Sequence, residues 1–559
     1  MIQRVVAGSI AALVGAGGVA LVQAQRGGPE WTTSGSDAQR SGWMRADPRI
    51  SVATMLKPGA FGPFKFLWKL KLEHDPKAPT ALTQPVLLTN VVGFRGFKAI
   101  VYVATASQTI HAIDYDFGTP LWKYHINYTA SPPPLVVGTP ECPIGMTAAP
   151  SRPTAIVDSA QGGRGGGGRG GRSGGGVGEP GKGATTIALA GKGGPGGPPG
   201  PPPAAPAVGP GGAVPGSAAA AAGNQPGGLP GNAVALGGGG GGGGPFRPGA
   251  DAAYVVGTDG YLHALNIQNG WDNMTPALYL PANTRAVGLI VATTDEGAVA
   301  YVATTRGCGS QSDAVWAMDL ASPQKTVTAF SVLGATIVGS AGPAIGHDGT
   351  VYIATAAGTS ALSNTLFSLT PKTLKLKAAA KVPNGNFTST PLVFTWKDKD
   401  AVLVAGGGRV YLFESASFAA PLAVSPVLGG IEFEAGALAS WIDLQGTRWV
   451  AAPTSRGITT FKLIEQDGKP MFQAGWTSPP IPSPLSPLVI NTVMFAASAG
   501  TRQAPSVLNA LEAATGKPLW NSGTTITTTV RGGLAGGQGS VYVPGSDGTL
   551  YAFGFDIEK

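Results

Sequence analysis

The chain has 559 residues, of which 43% are hydrophobic and 12% charged, so it can bury a large core. Its formal net charge is +8, but the basic excess lies mainly in Arg4 and in residues 161–250, where six arginines and lysines face a single glutamate. The remaining body is nearly neutral, which excludes the basic surface expected of a nucleic-acid-binding domain.

The first 24 residues are predicted to be a secretory signal peptide. Arg4 provides the positive start, Val5 to Val22 are apolar and uncharged, and Val22-Gln23-Ala24 resembles a cleavage site. The alternative is an uncleaved anchor, because 18 apolar residues approach the length that spans a membrane. We favour cleavage before Gln25 and expect a periplasmic or secreted protein with no later membrane span.

A Gly/Pro/Ala-rich insert is predicted over residues 158–250. Its part 161–250 holds 37 of the 87 glycines and one aromatic residue, Phe246. Such a segment buries too little apolar surface to offset the entropy of ordering its backbone, so we expect disorder. Its arginine–glycine string is also typical of some RNA-binding segments, but export favours a flexible spacer.

One phrase recurs through the rest of the chain: a β-rich run, a turn and a second apolar run. The second residues of the eight first runs are Tyr102, Tyr254, Tyr301, Tyr352, Leu403, Trp449, Met494 and Tyr542. Apart from the interval that contains the insert, they are 45–51 residues apart. This period is typical of four-stranded propeller blades.

Within a copy, Asp-Gly turns such as Asp547-Gly548 suit a tight hairpin. In the best copies a third strand begins Leu-Trp, as at Trp122 and Trp520. The last copy lacks this strand, whereas an unmatched "FLWKLKLE" at Phe66 precedes the first copy. If it completes the last blade, the ring closes and no sheet edge is left open.

The predicted fold is therefore all-β: an eight-bladed β-propeller of four-stranded blades, closed by an N-terminal strand that completes the last blade. Residues 25–60 form an N-terminal extension. Residues 61–157 and 251–559 form the single propeller, and the insert lies within blade two.

The phrases "VYVPGSDGTLYAF" and "LNALEAATGKPLW" resemble the repeat of quinoprotein-type propellers, which are named for pyrroloquinoline quinone. "WTTSGSDAQRSGW" at Trp31 is similar to the start of their mature chains. The family includes quinone-dependent dehydrogenases and non-catalytic propellers, among them the lipoprotein of the outer-membrane β-barrel assembly machinery. The dehydrogenase pattern implies adjacent cysteines, a calcium or lanthanide ion held by acidic and amide side chains, and often a C-x-x-C-H haem motif. The adjacent pair and the haem motif are absent here, and we match no such acidic cluster, so the resemblance favours the non-catalytic branch.

The two cysteines, Cys142 and Cys308, are candidates for a disulfide. If "RPTAIV" at Arg152 is the inner strand of blade two, both loops emerge on the same face of the propeller and the cysteines can bond. If "PPPLVV" is that strand, they lie on opposite faces and cannot meet.

No catalytic residue and no metal ligand is predicted. We interpret His111 and His263, at the same repeat position, as strand residues, not as ligands. Three carboxylates end second runs and are expected to accept turn N–H groups: Asp114, Asp319 and Glu512. The acidic group Glu432, Glu434 and Asp443 is expected in a solvated loop. Three tryptophans at a fixed repeat position are expected to pack blades: Trp68, Trp122 and Trp520.

We therefore expect a monomeric, non-catalytic propeller that binds a protein partner in the cell envelope, without a cofactor. The alternative is an atypical dehydrogenase that uses pyrroloquinoline quinone with calcium. The dehydrogenase would need an acidic funnel at the ring axis with room for a planar tricyclic cofactor. A weaker third interpretation is a surface adhesion module tethered by the insert.

Overall fold

The computed structural model describes residues 31–59, 62–73, 82–93, 96–129, 142, 145–156, 252–294, 297–382, 385–418, 420–428 and 436–556. The predicted signal peptide, the whole predicted insert, His74, Glu432 and Glu434 lie outside these residues. All described residues belong to one compact unit.

Eight separate β-sheets make up the described part of the chain, and each corresponds to one copy of the repeat. The N-terminal elements are β1 (Trp43–Met44), α1 (Val52–Leu56) and β2 (Lys65–Lys71). Blade 1 has β3 (Val86–Gly93), β4 (Gly96–Ala104), β5 (Thr109–Asp114) and β6 (Pro120–His125). Blades 2 and 3 have β7 (Pro153–Ala155), β8 (Ala252–Val256), β9 (Tyr261–Asn266), β10 (Ala277–Leu278), β11 (Arg285–Thr294), β12 (Gly297–Thr305), a 3-10 turn (Cys308–Ser310), β13 (Ala314–Asp319) and β14 (Val327–Ser331).

The remaining blades repeat this pattern. Blade 4 has β15 (Ala344–Ile345), β16 (Val351–Ala354), β17 (Thr365–Leu369) and β18 (Leu376–Lys381). Blade 5 has β19 (Leu392–Trp396), β20 (Lys399–Gly406), β21 (Arg409–Glu414) and β22 (Ala423–Val424). Blade 6 has β23 (Ala439–Ile442), β24 (Arg448–Thr454), β25 (Gly457–Gln466) and β26 (Lys469–Thr477). Blades 7 and 8 have β27 (Leu488–Ile490), β28 (Val493–Ala497), β29 (Leu508–Glu512), β30 (Pro518–Asn521), β31 (Ala535–Gly537), β32 (Ser540–Pro544) and β33 (Thr549–Gly554).

The predicted eight-bladed propeller is confirmed, and so is the way in which it closes. Strand β2 pairs antiparallel with β33, in a register that joins Lys69 to Tyr551 and Lys71 to Thr549. The N-terminal strand is therefore the outer strand of the last blade. In seven blades the predicted first run is the second strand, as β4, β12, β16, β20, β24, β28 and β32, and in blade 2 it is β8, the innermost strand of a three-stranded sheet.

Two blades carry an additional strand at the axis that the sequence did not indicate. Strand β1 pairs parallel with β27, and β7 pairs parallel with β11. Blade 2 lacks a long inner strand in the described residues, and Ser151 alone bridges to Tyr254 there. The "RPTAIV" segment, which begins at the next residue, donates from the Arg152 side chain to the Ala252 carbonyl of blade 2 at 2.8 Å and then pairs with the inner strand of blade 3 through β7. The "PPPLVV" segment lies outside the described residues.

Tryptophans of outer strands join neighbouring blades, as their repeat position predicted. Trp122 Nε1 donates to the Ile267 carbonyl of blade 2 at 3.0 Å, and Trp68 Nε1 donates to the Tyr115 carbonyl of blade 1 at 3.1 Å. Trp520 packs edge-on against Phe64, with ring centroids 5.0 Å apart. These contacts fix the spacing of blades around the ring.

Because successive strands of a blade are antiparallel, two kinds of connection share one face of the propeller. These are the segments that enter the inner strands and the hairpins between second and third strands. We call this side the entry face. The remaining hairpins lie on the opposite face.

Candidate functional site

The axis of the propeller is occupied by the chain's own residues 31–44, here called the axial segment. Its carbonyls accept backbone N–H groups from inner strands of successive blades. The bonds are Leu87 to Trp31 at 2.9 Å, Ile345 to Ala38 at 2.8 Å, Val393 to Gln39 at 2.9 Å, Ser440 to Ser41 at 2.9 Å and Val489 to Gly42 at 2.8 Å. The motif "WTTSGSDAQRSGW" is thus the hub to which the blades attach.

Arg40 anchors this segment from within the core, with 1% of its surface exposed. Its guanidinium donates to the carbonyl of Pro343 at 2.8 Å, to the carbonyl of Gly288 at 2.7 Å, to Thr33 Oγ1 at 3.0 Å and to the Ser34 carbonyl. Burial lowers the pKa of Arg40 to about 9, and the nearby Asp37 carboxylate offsets this in part. Carbonyl groups from two blades therefore hold a buried cation at the centre.

A cavity of about 150 Å³ lies above the axial segment on the entry face. Its floor includes Trp31, Ser34 and Gly35, and its wall consists of segments that lead into inner strands of several blades. Two arginines, Arg285 and Arg531, line it, and none of the described residues that line it is acidic. We take this axial cavity as the candidate functional site.

Two arginines, Arg285 and Arg531, make the cavity wall cationic. Arg285 donates through one terminal nitrogen to Thr305 Oγ1 at 2.8 Å. Burial lowers the pKa of Arg285 to about 10, the charge of Arg306 lowers it further, and Asp313 opposes both. Arg531 is exposed at the rim. The cavity can therefore receive an anionic group but offers no general base.

A second pocket of about 570 Å³ lies on the opposite face between blades 3 and 4. It is lined by Tyr301, His347 and Lys372 among other residues. His347 contacts the Asp400 carboxylate of blade 5 through Nδ1, and its backbone N–H donates to the other oxygen at 2.8 Å. No lining residue is a cysteine or serine nucleophile.

The histidines at the shared repeat position differ in charge although both are 5% exposed. Burial lowers the pKa of His111 to about 4. Burial also opposes the charge on His263, but Asp259 and Asp272 outweigh it and raise the pKa to about 9. His263 Nδ1 lies 3.3 Å from the Asp272 carboxylate. Neither histidine lines the axial cavity.

The acidic residues singled out in the sequence serve turns. Asp114 Oδ1 accepts the N–H of Asp116 at 3.0 Å, and Asp319 Oδ1 accepts the N–H of Ala321 at 2.9 Å, as predicted. Glu512 instead accepts the hydroxyl of Thr515 at 2.5 Å. Asp443 accepts the N–H of Thr447 at 2.8 Å. Among the described residues, no group of three or more His, Cys, Asp or Glu side chains could hold a metal ion.

Cys142 and Cys308 form a disulfide with their Cα atoms 5.5 Å apart. Cys308 lies in the hairpin between β12 and β13, so the bond is on the entry face. It ties the connection after blade 1 to blade 3, across blade 2. No helix within the described ranges is long and apolar enough to cross a membrane.

No protein-family model matches the chain, and no curated protein matches it. Its structure is similar to that of quinohemoprotein alcohol dehydrogenase from Comamonas testosteroni, with 13% identity and a TM-score of 0.50 over 95% of this chain and 81% of the other. A europium-containing methanol dehydrogenase is 11% identical, with a TM-score of 0.52 over 94% of this chain and 98% of the other. BamB from Moraxella catarrhalis is 16% identical, with a TM-score of 0.37 over 55% of this chain and 95% of the other. The predicted quinoprotein-type propeller is thus confirmed at the level of the fold.

Proposed function

We propose that the protein is an exported, non-catalytic propeller that binds a protein partner in the cell envelope. The observation that carries this proposal is the axis itself. A dehydrogenase would need an acidic funnel at the ring axis with room for a planar tricyclic cofactor, whereas the cavity there has about 150 Å³ and its described lining contains no carboxylate.

The residues around the axial cavity do not fit a quinone with calcium. Pockets for ligands of cofactor size span about 300–1,000 Å³, and this cavity has about 150 Å³. Calcium takes oxygen ligands, largely carboxylates, and the described residues lining the cavity include two arginines and no carboxylate. Export is supported by the signal-like residues 1–24.

The test is a titration of the purified mature protein with pyrroloquinoline quinone and calcium, followed by absorbance and dye-linked alcohol oxidation. We expect neither saturable binding nor turnover. Saturable binding with turnover would refute the proposal and establish an atypical quinone-dependent dehydrogenase.

A further inference from the structure

Arginines recur at the entry face in positions that the repeat makes equivalent. Three lie in hairpins between second and third strands, Arg306, Arg456 and Arg502, and Arg409 is the first residue of β21, directly after such a hairpin. Two more, Arg285 and Arg531, lie where the chain enters the inner strands of blades 3 and 8 and line the axial cavity. We call these six residues the arginine set.

Among the described residues, the Asp313 carboxylate stabilises the charge of one member of the arginine set, Arg285, only in part. Several described carboxylates pair with lysines instead, among them Asp547 with Lys71 and Glu414 with Lys399. Arg409 and Arg285 donate only to a carbonyl and a hydroxyl, at 2.7 and 2.8 Å. The set therefore presents net positive charge on one face of a nearly neutral body.

Three acidic residues in the described hairpins of the same face are already engaged. Asp313 is 4% exposed and accepts the backbone N–H groups of Gly307 at 2.7 Å and Ile337 at 3.0 Å. Asp547 pairs with Lys71 at 3.1 Å. Asp259 faces His263. Among the described residues, the hydrogen bonds and ion pairs of these three carboxylates therefore go to groups other than the arginines.

The axial cavity adds a second, independent feature that points to a ligand. The Trp31 indole borders the cavity, is 1% exposed, and its N–H has no hydrogen-bond acceptor in the structure. A buried donor without an acceptor is costly, and a ligand oxygen would satisfy it. The volume of about 150 Å³ suits one side chain.

We propose that the entry face recognises an acidic segment of a partner protein, with one carboxylate side chain seated in the axial cavity beside Arg285 and Arg531. This inference rests on the proposed function and specifies the chemistry of its partner. Guanidinium groups bind carboxylates with paired, charge-assisted hydrogen bonds. The surrounding arginines, in or directly after hairpins of four blades, then contact further acidic residues of an extended chain. A recessed site for a single side chain favours a peptide over a flat anionic membrane.

The experiment measures binding of a short, fluorescent, glutamate-rich peptide to the full mature protein by anisotropy. The matched probe has every glutamate replaced by glutamine. We expect the acidic peptide to bind about tenfold more tightly or better, with an affinity that falls as salt is raised. Arg531→Gln should weaken binding about tenfold. It should leave the fold intact because this side chain is exposed.

Arg45→Gln is the matched control, because Arg45 lies over the Trp43 ring near the opposite face. The affinity of this variant for the acidic peptide should stay within about twofold of wild type. Equal binding of both peptides, or equal effects of the two substitutions, would overturn the inference. Binding of phosphatidylglycerol vesicles without peptide binding would assign the face to a membrane instead. Competition by free acetate alone, with no peptide preference, would indicate a small-anion site. Quinone turnover would refute the proposed function, whereas failure of the peptide with no quinone binding would refute only this inference.

Discussion

Substitution of Gly118 by alanine probes the seam at which the ring closes. Gly118 has φ +65°, and a Cβ built there would lie 2.4 Å from Cδ2 and 2.6 Å from Cε3 of Trp68. Trp68 belongs to β2, the strand that completes the last blade, and its indole N–H donates to Tyr115 of blade 1. The methyl group must displace this indole or the turn.

The expected cost has two parts. Left-handed backbone at a non-glycine residue costs about 1 kcal/mol. Displacing Trp68 adds the lost hydrogen bond, about 1 kcal/mol, and overpacking of about 1–3 kcal/mol. We therefore expect Gly118→Ala to lower the free energy of unfolding by about 3–5 kcal/mol.

The matched control is Gly446→Ala, since Gly446 has φ +81° and a Cβ there would meet nothing within 4 Å. It should lose only about 1 kcal/mol. Urea titration measures the free energy of unfolding of both variants. In a Trp68→Ala background, Gly118→Ala should no longer cost more than Gly446→Ala. Equal losses for the two glycine variants would show that the Trp68 contact does not hold the seam.

Three further predictions concern the axis, the disulfide and the buried histidine. Arg40→Met should destabilise by about 3–5 kcal/mol in urea, because several buried carbonyls lose their donor; a loss no greater than that of Arg502→Met at an exposed loop would contradict the anchoring role. Cys308→Ser opens a loop of 166 residues and should cost about 5 kcal/mol, and reductant should destabilise wild type but not the variant. The raised pKa of His263 means that its stabilising charge is complete below pH 6.5 and lost as pH rises through about 9. The thermal stability of the wild type should therefore fall between about pH 6.5 and 9, whereas that of His263→Gln should not. Parallel pH profiles of the two proteins would refute a stabilising role for the His263 charge.

The blade register could be predicted because each blade is local. A first run, a turn and a second run lie within about 20 residues, so alternation and turn residues such as Asp547-Gly548 define them without knowledge of the whole. The closing strand at Phe66 could be predicted because the last copy lacks its third strand. The blade register and the closing strand could both be predicted because a repeat allows the strands of each copy to be counted.

The axial segment could not be predicted in the same way. Its hydrogen-bond partners come from six blades and are mostly backbone groups, which leave no pattern in side-chain type. Arg40 sits in a polar stretch that is typical of a surface, yet it is 1% exposed, because carbonyls of distant residues converge on it. The "RPTAIV" segment similarly serves two blades, which a rule of one strand for one blade does not anticipate.

The sequence contains a signal for part of the arginine set. The hairpin after the first run contains an arginine, or is directly followed by one, in the copies of Tyr301, Leu403, Trp449 and Met494. Aligning the copies by their turns instead of by their strands would have revealed it. The recurrence becomes meaningful only when the fold places those hairpins on one face.

Closure by β2 has a consequence for how the molecule reaches its native state. The residues that pair in the last blade, Lys69 with Tyr551, are separated by nearly the whole chain, and the axial segment bonds to inner strands that are synthesised much later. A chain delivered N-terminus first therefore emerges with its hub and its closing strand before any of their partners exist. Such high contact order slows folding. We expect maturation to be limited by the arrival of the final blade, with truncation before β33 yielding a chain that is trapped by holdase chaperones or degraded.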